Sequence, residues 1–174
     1  MSEFLRCRKS AAGLTTSEEL LLSSVLTWYN QDADRVKELM QFIERNKCLS
    51  LRVIDWFVTN YSRNTPIMME RDGLPRDLYK DYQKNLSSYK KKYMDPFARR
   101  KRITILMFGQ TERTSTIGQL NFFRWFLGSN IRQLLDERKQ AVEHEMKYSI
   151  FNRIKSKKKD RTCSFTGRFR VSFL

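Results

Sequence analysis

The chain is poor in the residues that most catalytic and metal chemistry requires. Its 174 residues include one histidine, three cysteines, six glycines and three prolines. A Ser-His-Asp or Cys-His site would have only His144 to draw on, and His144 lies in the polar run Glu143-His144-Glu145. It reads as an exposed side chain. Structural zinc needs several Cys and His at fixed spacing, which Cys7, Cys48 and Cys163 do not supply. Their odd number, wide spacing and lack of a preceding secretory pattern point to reduced thiols in a cytosol-like compartment. Neither a G-x-G-x-x-G nor a Walker-type loop is present, so no cofactor is expected. Apolar runs are short as well. The longest, 103–108 and 122–127, fall far below the roughly 20 residues of a membrane span.

Acidic residues are the other shortage. There are 34 Lys and Arg against 19 Asp and Glu, a formal net charge of +15. Such an excess opposes compaction through self-repulsion unless a polyanion offsets it. It is also unevenly placed. Residues 88–174 hold 21 of the basic side chains and only 7 of the acidic ones. The clusters there are Lys90-Lys91-Lys92, then Arg99-Arg100-Lys101-Arg102, then Arg153, Lys155, Lys157-Lys158-Lys159 and Arg161, then Arg168 and Arg170. These are the candidate phosphate-binding residues, and DNA or RNA is the expected partner. Tyr93 and Phe97, between clusters, are candidates for stacking on bases, although core packing explains them as well.

Enough apolar material remains for a core, at 40% hydrophobic residues. Residues 1–14 read as a flexible arm and 15–174 as one domain. Within it, 15–62 reads as a near-neutral helical bundle and 75–174 as a basic helical half. Thr15 and Glu18 form a capping-box pattern ahead of a helix ending near Asn30. Asp32 or Asp34 caps the next helix, whose Val36, Leu39, Met40 and Ile43 share a face. Ser50 opens a third. Its apolar content argues against a helix-turn-helix recognition helix. Residues 71–75 and 109–115 read as loops. A helix over about 76–93 carries lysines on one face. Residues 103–108 read as a buried strand, 116–127 as a helix apolar almost all round, and 131–154 as a further helix. Alternation over 163–173 predicts a half-buried strand, or a hairpin if Thr166-Gly167 breaks it. The expected class is mainly α (α+β), with about six helices and a small two- or three-stranded sheet from residues 103–108 and 163–173.

A metal-dependent nuclease would need converging carboxylates. Glu143 and Glu145, with Asp136, Glu137 and Lys147 nearby, are the available set. On a helix, positions i and i+2 point roughly 200° apart, so Glu143 and Glu145 do not converge. The functional expectation is therefore a non-enzymatic nucleic-acid-binding accessory protein. A scaffold protein contacting other proteins is the alternative, and the nuclease stands behind both.

Four stretches carry a resemblance: 51–61 (LRVIDWFVTNY), 93–102 (YMDPFARRKR), 116–125 (TIGQLNFFRW) and 165–173 (FTGRFRVSF). Together they resemble a small uncharacterised basic protein family of nucleocytoplasmic large DNA viruses. None is a catalytic signature, so no residue role is carried over. The resemblance implies a viral protein made in the host cell. It would work in host cytoplasm or nucleus, near viral DNA, its transcription or the virion, with other viral proteins as possible partners.

Overall fold

The computed structural model describes residues 3–9, 13–44 and 49–161, with the side chains of 9 and 157–161 excepted. The fold is α+β, with six main helices and two small antiparallel sheets among the described residues.

The first two helices start where their sequences supply a cap. Helix α1 (Thr16–Asn30) opens on Thr15, whose hydroxyl accepts from the Glu18 amide while Glu18 reaches back to the Thr15 amide. Asp32 caps α2 (Ala33–Ile43). Ser50 caps α3 (Leu51–Trp56), which widens into a π-helical turn at Phe57–Tyr61 and closes with Ser62–Asn64. This segment packs inward through Val53, Ile54, Phe57 and Val58.

Strands β2 (Met68–Arg71) and β3 (Leu74–Asp77) form a hairpin where a loop is expected at 71–75. Asp72 and Gly73, both at positive φ, make the two-residue turn that such hairpins favour. Helix α4 (Leu78–Tyr89) follows, capped by Asp77. The expected single helix to residue 93 breaks at Lys90, and a 3₁₀ turn at Lys91–Tyr93 continues the chain.

The main sheet has the order β1-β4-β5. Its central strand β4 (Arg102–Met107) is the buried strand expected over 103–108. Its neighbours differ from expectation. Strand β1 (Leu5–Lys9) arises from the arm expected at 1–14, and pairs with β4 from Leu5↔Met107 to Lys9↔Thr104. The Asn30 side chain locks it by hydrogen-bonding both the amide and the carbonyl of Leu5. Strand β5 (Thr111–Thr116) replaces the expected polar loop. Its two buried residues, Ser115 and Thr116, are hydroxyls that meet Gln119. The strand expected over 163–173 lies outside the described residues.

Helix α5 (Ile117–Leu127) is buried almost all round, as its composition requires. Phe122, Phe123 and Phe126 pack against Phe42, Tyr82 and Trp125. The last helix, α6 (Ile131–Arg161), leans on the core through Ile131, Leu135, Val142 and Met146, then runs beyond it.

One buried carboxylate organises the α4–α5 contact. Asp81 accepts from the Trp125 indole (2.7 Å) and from Asn85, and lies beside Arg76 (3.4 Å) and Arg71 (3.6 Å). Those guanidiniums tie the hairpin to α4.

Candidate nucleic-acid interface

The basic segment 90–102 is an irregular connection, yet buried groups of α5 hold it in place. Gly118 faces the Lys92 carbonyl so closely that a Cβ there would collide with that backbone oxygen. Asn121 donates to the Tyr93 carbonyl (2.9 Å), and Gln119 donates to the Pro96 carbonyl (2.9 Å). Both side chains are buried. A small residue and two amides on a mainly apolar helix thus clamp the chain that carries seven candidate cations.

Glu18 joins the first two clusters. Its carboxylate accepts from the Tyr93 hydroxyl (2.8 Å), lies 3.6 Å from the Lys92 ammonium and feels Lys101. The Thr15 amide, then Tyr93, then the two lysines hold its pKa down to about 2 from an ordinary 4.5. A depressed carboxylate contributes stability above its unfolded pKa and loses it as pH falls through its folded pKa. Glu18→Gln is therefore expected to flatten the loss of stability between about pH 4.5 and 2, as read by urea unfolding across that range.

Lys101 donates to the Gly13 carbonyl (2.5 Å), and Arg99 makes a two-point contact with buried Asp95 (2.9 and 3.1 Å). Lys90, Lys91, Arg100 and Arg102 are exposed and form no ion pair among the described residues. The surface extends further onto the sheet. Arg6 lies opposite Leu106 in the β1–β4 register, so it shares the outer face with Arg102. Nothing in 1–14 identifies Arg6 as sharing a sheet face with Arg102, because the pairing spans almost a hundred residues. Tyr93 and Phe97 are already engaged, Tyr93 under Lys92 and by Glu18, Phe97 under the Arg99 guanidinium.

Lys90 sits at φ 63 and ψ 152, a region almost confined to glycine. Holding a lysine there costs about 1–3 kcal/mol. Lys90→Gly is expected to raise stability by about 1 kcal/mol in urea melts, whereas Lys90→Ala, which keeps the Cβ, does not.

A cleft of about 370 Å³ opens beside this turn. Tyr82, Met94 and Pro96 form its buried floor, and Asp55 and Asp95 its acidic walls. Lys91, Arg99 and Arg100 complete the lining. Burial is the main influence on Asp55 and pushes its pKa up, Arg99 pulls it down, and Asp95 raises it again.

The remaining candidates lie elsewhere. Lys155 and Arg153 are exposed on α6, and Lys155 stands roughly 13 Å along the helix beyond Met146. Lys157, Lys158, Lys159 and Arg161 follow on its last turns. Arg168 and Arg170 fall outside the described residues. The structure therefore unites the first two clusters and carries the third on a projecting helix. His144 is exposed, and Glu145 lies 3.4 Å from the Asn64 amide. Among the described residues no three His, Cys, Asp or Glu side chains gather as a metal site, and no helix is long and apolar enough to cross a membrane.

A family model described as a family of unknown function, DUF7197, matches residues 6–168. The uncharacterized protein L507 of Acanthamoeba polyphaga mimivirus is 30% identical over 148 residues, covering 80% of this chain. The chain spans 57% of the length of that relative. No solved structure matches. Three of the four stretches that resemble a viral family fall inside the matched span and the fourth crosses its end, and the mimivirus relative matches 80% of the chain. This chain belongs to DUF7197, a family of unknown function, and it is similar to an uncharacterised mimivirus protein.

Proposed function

We propose that this protein is a non-enzymatic nucleic-acid-binding accessory protein that grips the phosphate backbone through the 90–102 surface. The supporting observation is that Lys90, Lys91, Arg100 and Arg102 stand exposed and unpaired on a segment that α5 clamps from below. A backbone already held in place has little further freedom to lose when its cations meet phosphates, and those cations release the counterions condensed there. The outer sheet face adds Arg6, and the projecting end of α6 adds a second basic arm. The protein acts inside the infected cell, in cytoplasm or nucleus, or travels with the genome in the virion. Replacing Lys90, Lys91, Arg100 and Arg102 together by alanine weakens binding to single-stranded and duplex nucleic acid. Unchanged affinity of the folded variant in a titration overturns this assignment.

A second reading, a scaffold protein, has one observation in its favour. Beyond the core, α6 exposes Tyr148 (62%), Phe151 (63%) and Ile154 (53%), a run of apolar side chains suited to another protein. Retention in viral particles after nuclease digestion, together with no measurable affinity for DNA or RNA, would favour it over the first.

A further inference from the structure

Phosphate binding leaves the cleft beside Lys91 unexplained. Its two carboxylates have different circumstances. Asp95 is satisfied by Arg99 and by the Phe97 amide. The Asp55 carboxylate receives no hydrogen bond from any described residue, though it is half-buried. Its oxygens stay open to the cleft, so a ligand that brings donors can take the place of solvent there. The backbone just after Asp55 is also unusual. The π-helical turn at Phe57–Tyr61 is a form found mostly as single turns and often at functional sites.

A carboxylate offers two acceptors side by side and no donor. The ligand edge that matches it presents two parallel N–H groups. Among the nucleobases, guanine has this edge, in its ring N1–H and exocyclic N2–H. Adenine and cytosine place a ring acceptor beside the amino group, which a carboxylate repels. Uracil and thymine flank their one N–H with two carbonyls. The opposite side of guanine carries O6 and N7, acceptors that arginine commonly reads. Arg100, exposed at the same cleft, is the donor available for it. Tyr82 gives the cleft an aromatic floor.

We propose that this cleft receives the guanine base of a single strand, read by Asp55 on its Watson–Crick edge, while the adjoining phosphates lie along Lys90–Lys92. The strand is single because a duplex already occupies that edge. This inference rests on the nucleic-acid reading above and adds base selectivity to it.

The test uses the full chain and labelled thymidine strands about a dozen nucleotides long, alone or with one central guanine, adenine or cytosine. The guanine strand is expected to bind about tenfold more tightly than the other three. Asp55→Asn, which replaces one acceptor by a donor at constant shape, makes the four strands equal. Guanosine monophosphate displaces the guanine strand from the unaltered protein at lower concentration than adenosine, cytidine or uridine monophosphate. Equal affinity for all four strands overturns the inference, as does a guanine preference that survives in folded Asp55→Asn. If the all-thymidine strand binds and the preference is absent, only this inference falls. If no strand binds, the nucleic-acid reading falls with it.

Discussion

Asp81→Ala is expected to destabilise the protein by about 3 kcal/mol, because it breaks a buried charge network from the carboxylate side. Its carboxylate is 5% exposed, and it alone satisfies the Trp125 indole N–H. Removing it leaves that donor buried without a partner. It also leaves Arg71 and Arg76, which are partly exposed at 28% and 36%, without their shared counter-charge. Their partial access to water keeps the loss below that of a wholly buried pair. Urea unfolding reads this as a lower midpoint at an unchanged slope. Asp81→Asn, which keeps an acceptor for Trp125, is expected to lose less.

Gly118→Ala carries the second large effect. The added methyl would occupy the place of the Lys92 carbonyl oxygen, and backbone yields less readily than a side-chain tip. Overpacking of this kind costs typically about 1–3 kcal/mol, and the upper end applies because the Tyr93 carbonyl is pinned to the same helix by Asn121. The variant tests the site as well as the fold. If the clamp aligns Lys90–Lys92, a folded Gly118→Ala protein binds nucleic acid more weakly although no charge has been removed. Chemical unfolding and a binding titration on the same sample separate the two effects.

The chain's local signals translate directly into structure where one segment decides its own fate. Thr15 and Glu18 fix the start of α1, and the all-round apolar composition of α5 places it at the centre. Signals that depend on a distant partner do not show. Strand β1 has only Leu5 and Cys7 as apolar alternation, and its identity comes from β4 and from Asn30. Strand β5 is threonine-rich, which suits a pleated edge, but the face it shares with Ile103, Ile105 and Met107 carries Thr111, Arg113 and Ser115, with no apolar period. The Asp72-Gly73 pair did carry a local hairpin signal, masked by a proline two residues later. Proline is tolerated there because the two-stranded sheet consists of edges.

The site divides in the same way. The basic runs of 90–102 are legible as charge, and the structure places them on the surface. Their support is not legible, because Gly118, Gln119 and Asn121 stand among apolar residues and reveal their role only against the Lys92, Tyr93 and Pro96 carbonyls. Asp55 resembles any polar position on a mainly apolar helix until the cleft is formed around it.

The central claim is that unpaired cations on the clamped backbone of 90–102 bind phosphate. The most direct measurement is the affinity of the full chain for a single strand as a function of salt. Four phosphate contacts predict a log–log slope of about −3, or roughly a 50-fold loss of affinity between about 50 and 200 mM salt. Additional contacts from Arg6 and the end of α6 would steepen that slope. Replacing Lys90, Lys91, Arg100 and Arg102 by alanine should make it shallower by about 3. A slope near zero, or one that the fourfold replacement leaves unchanged, would contradict the account.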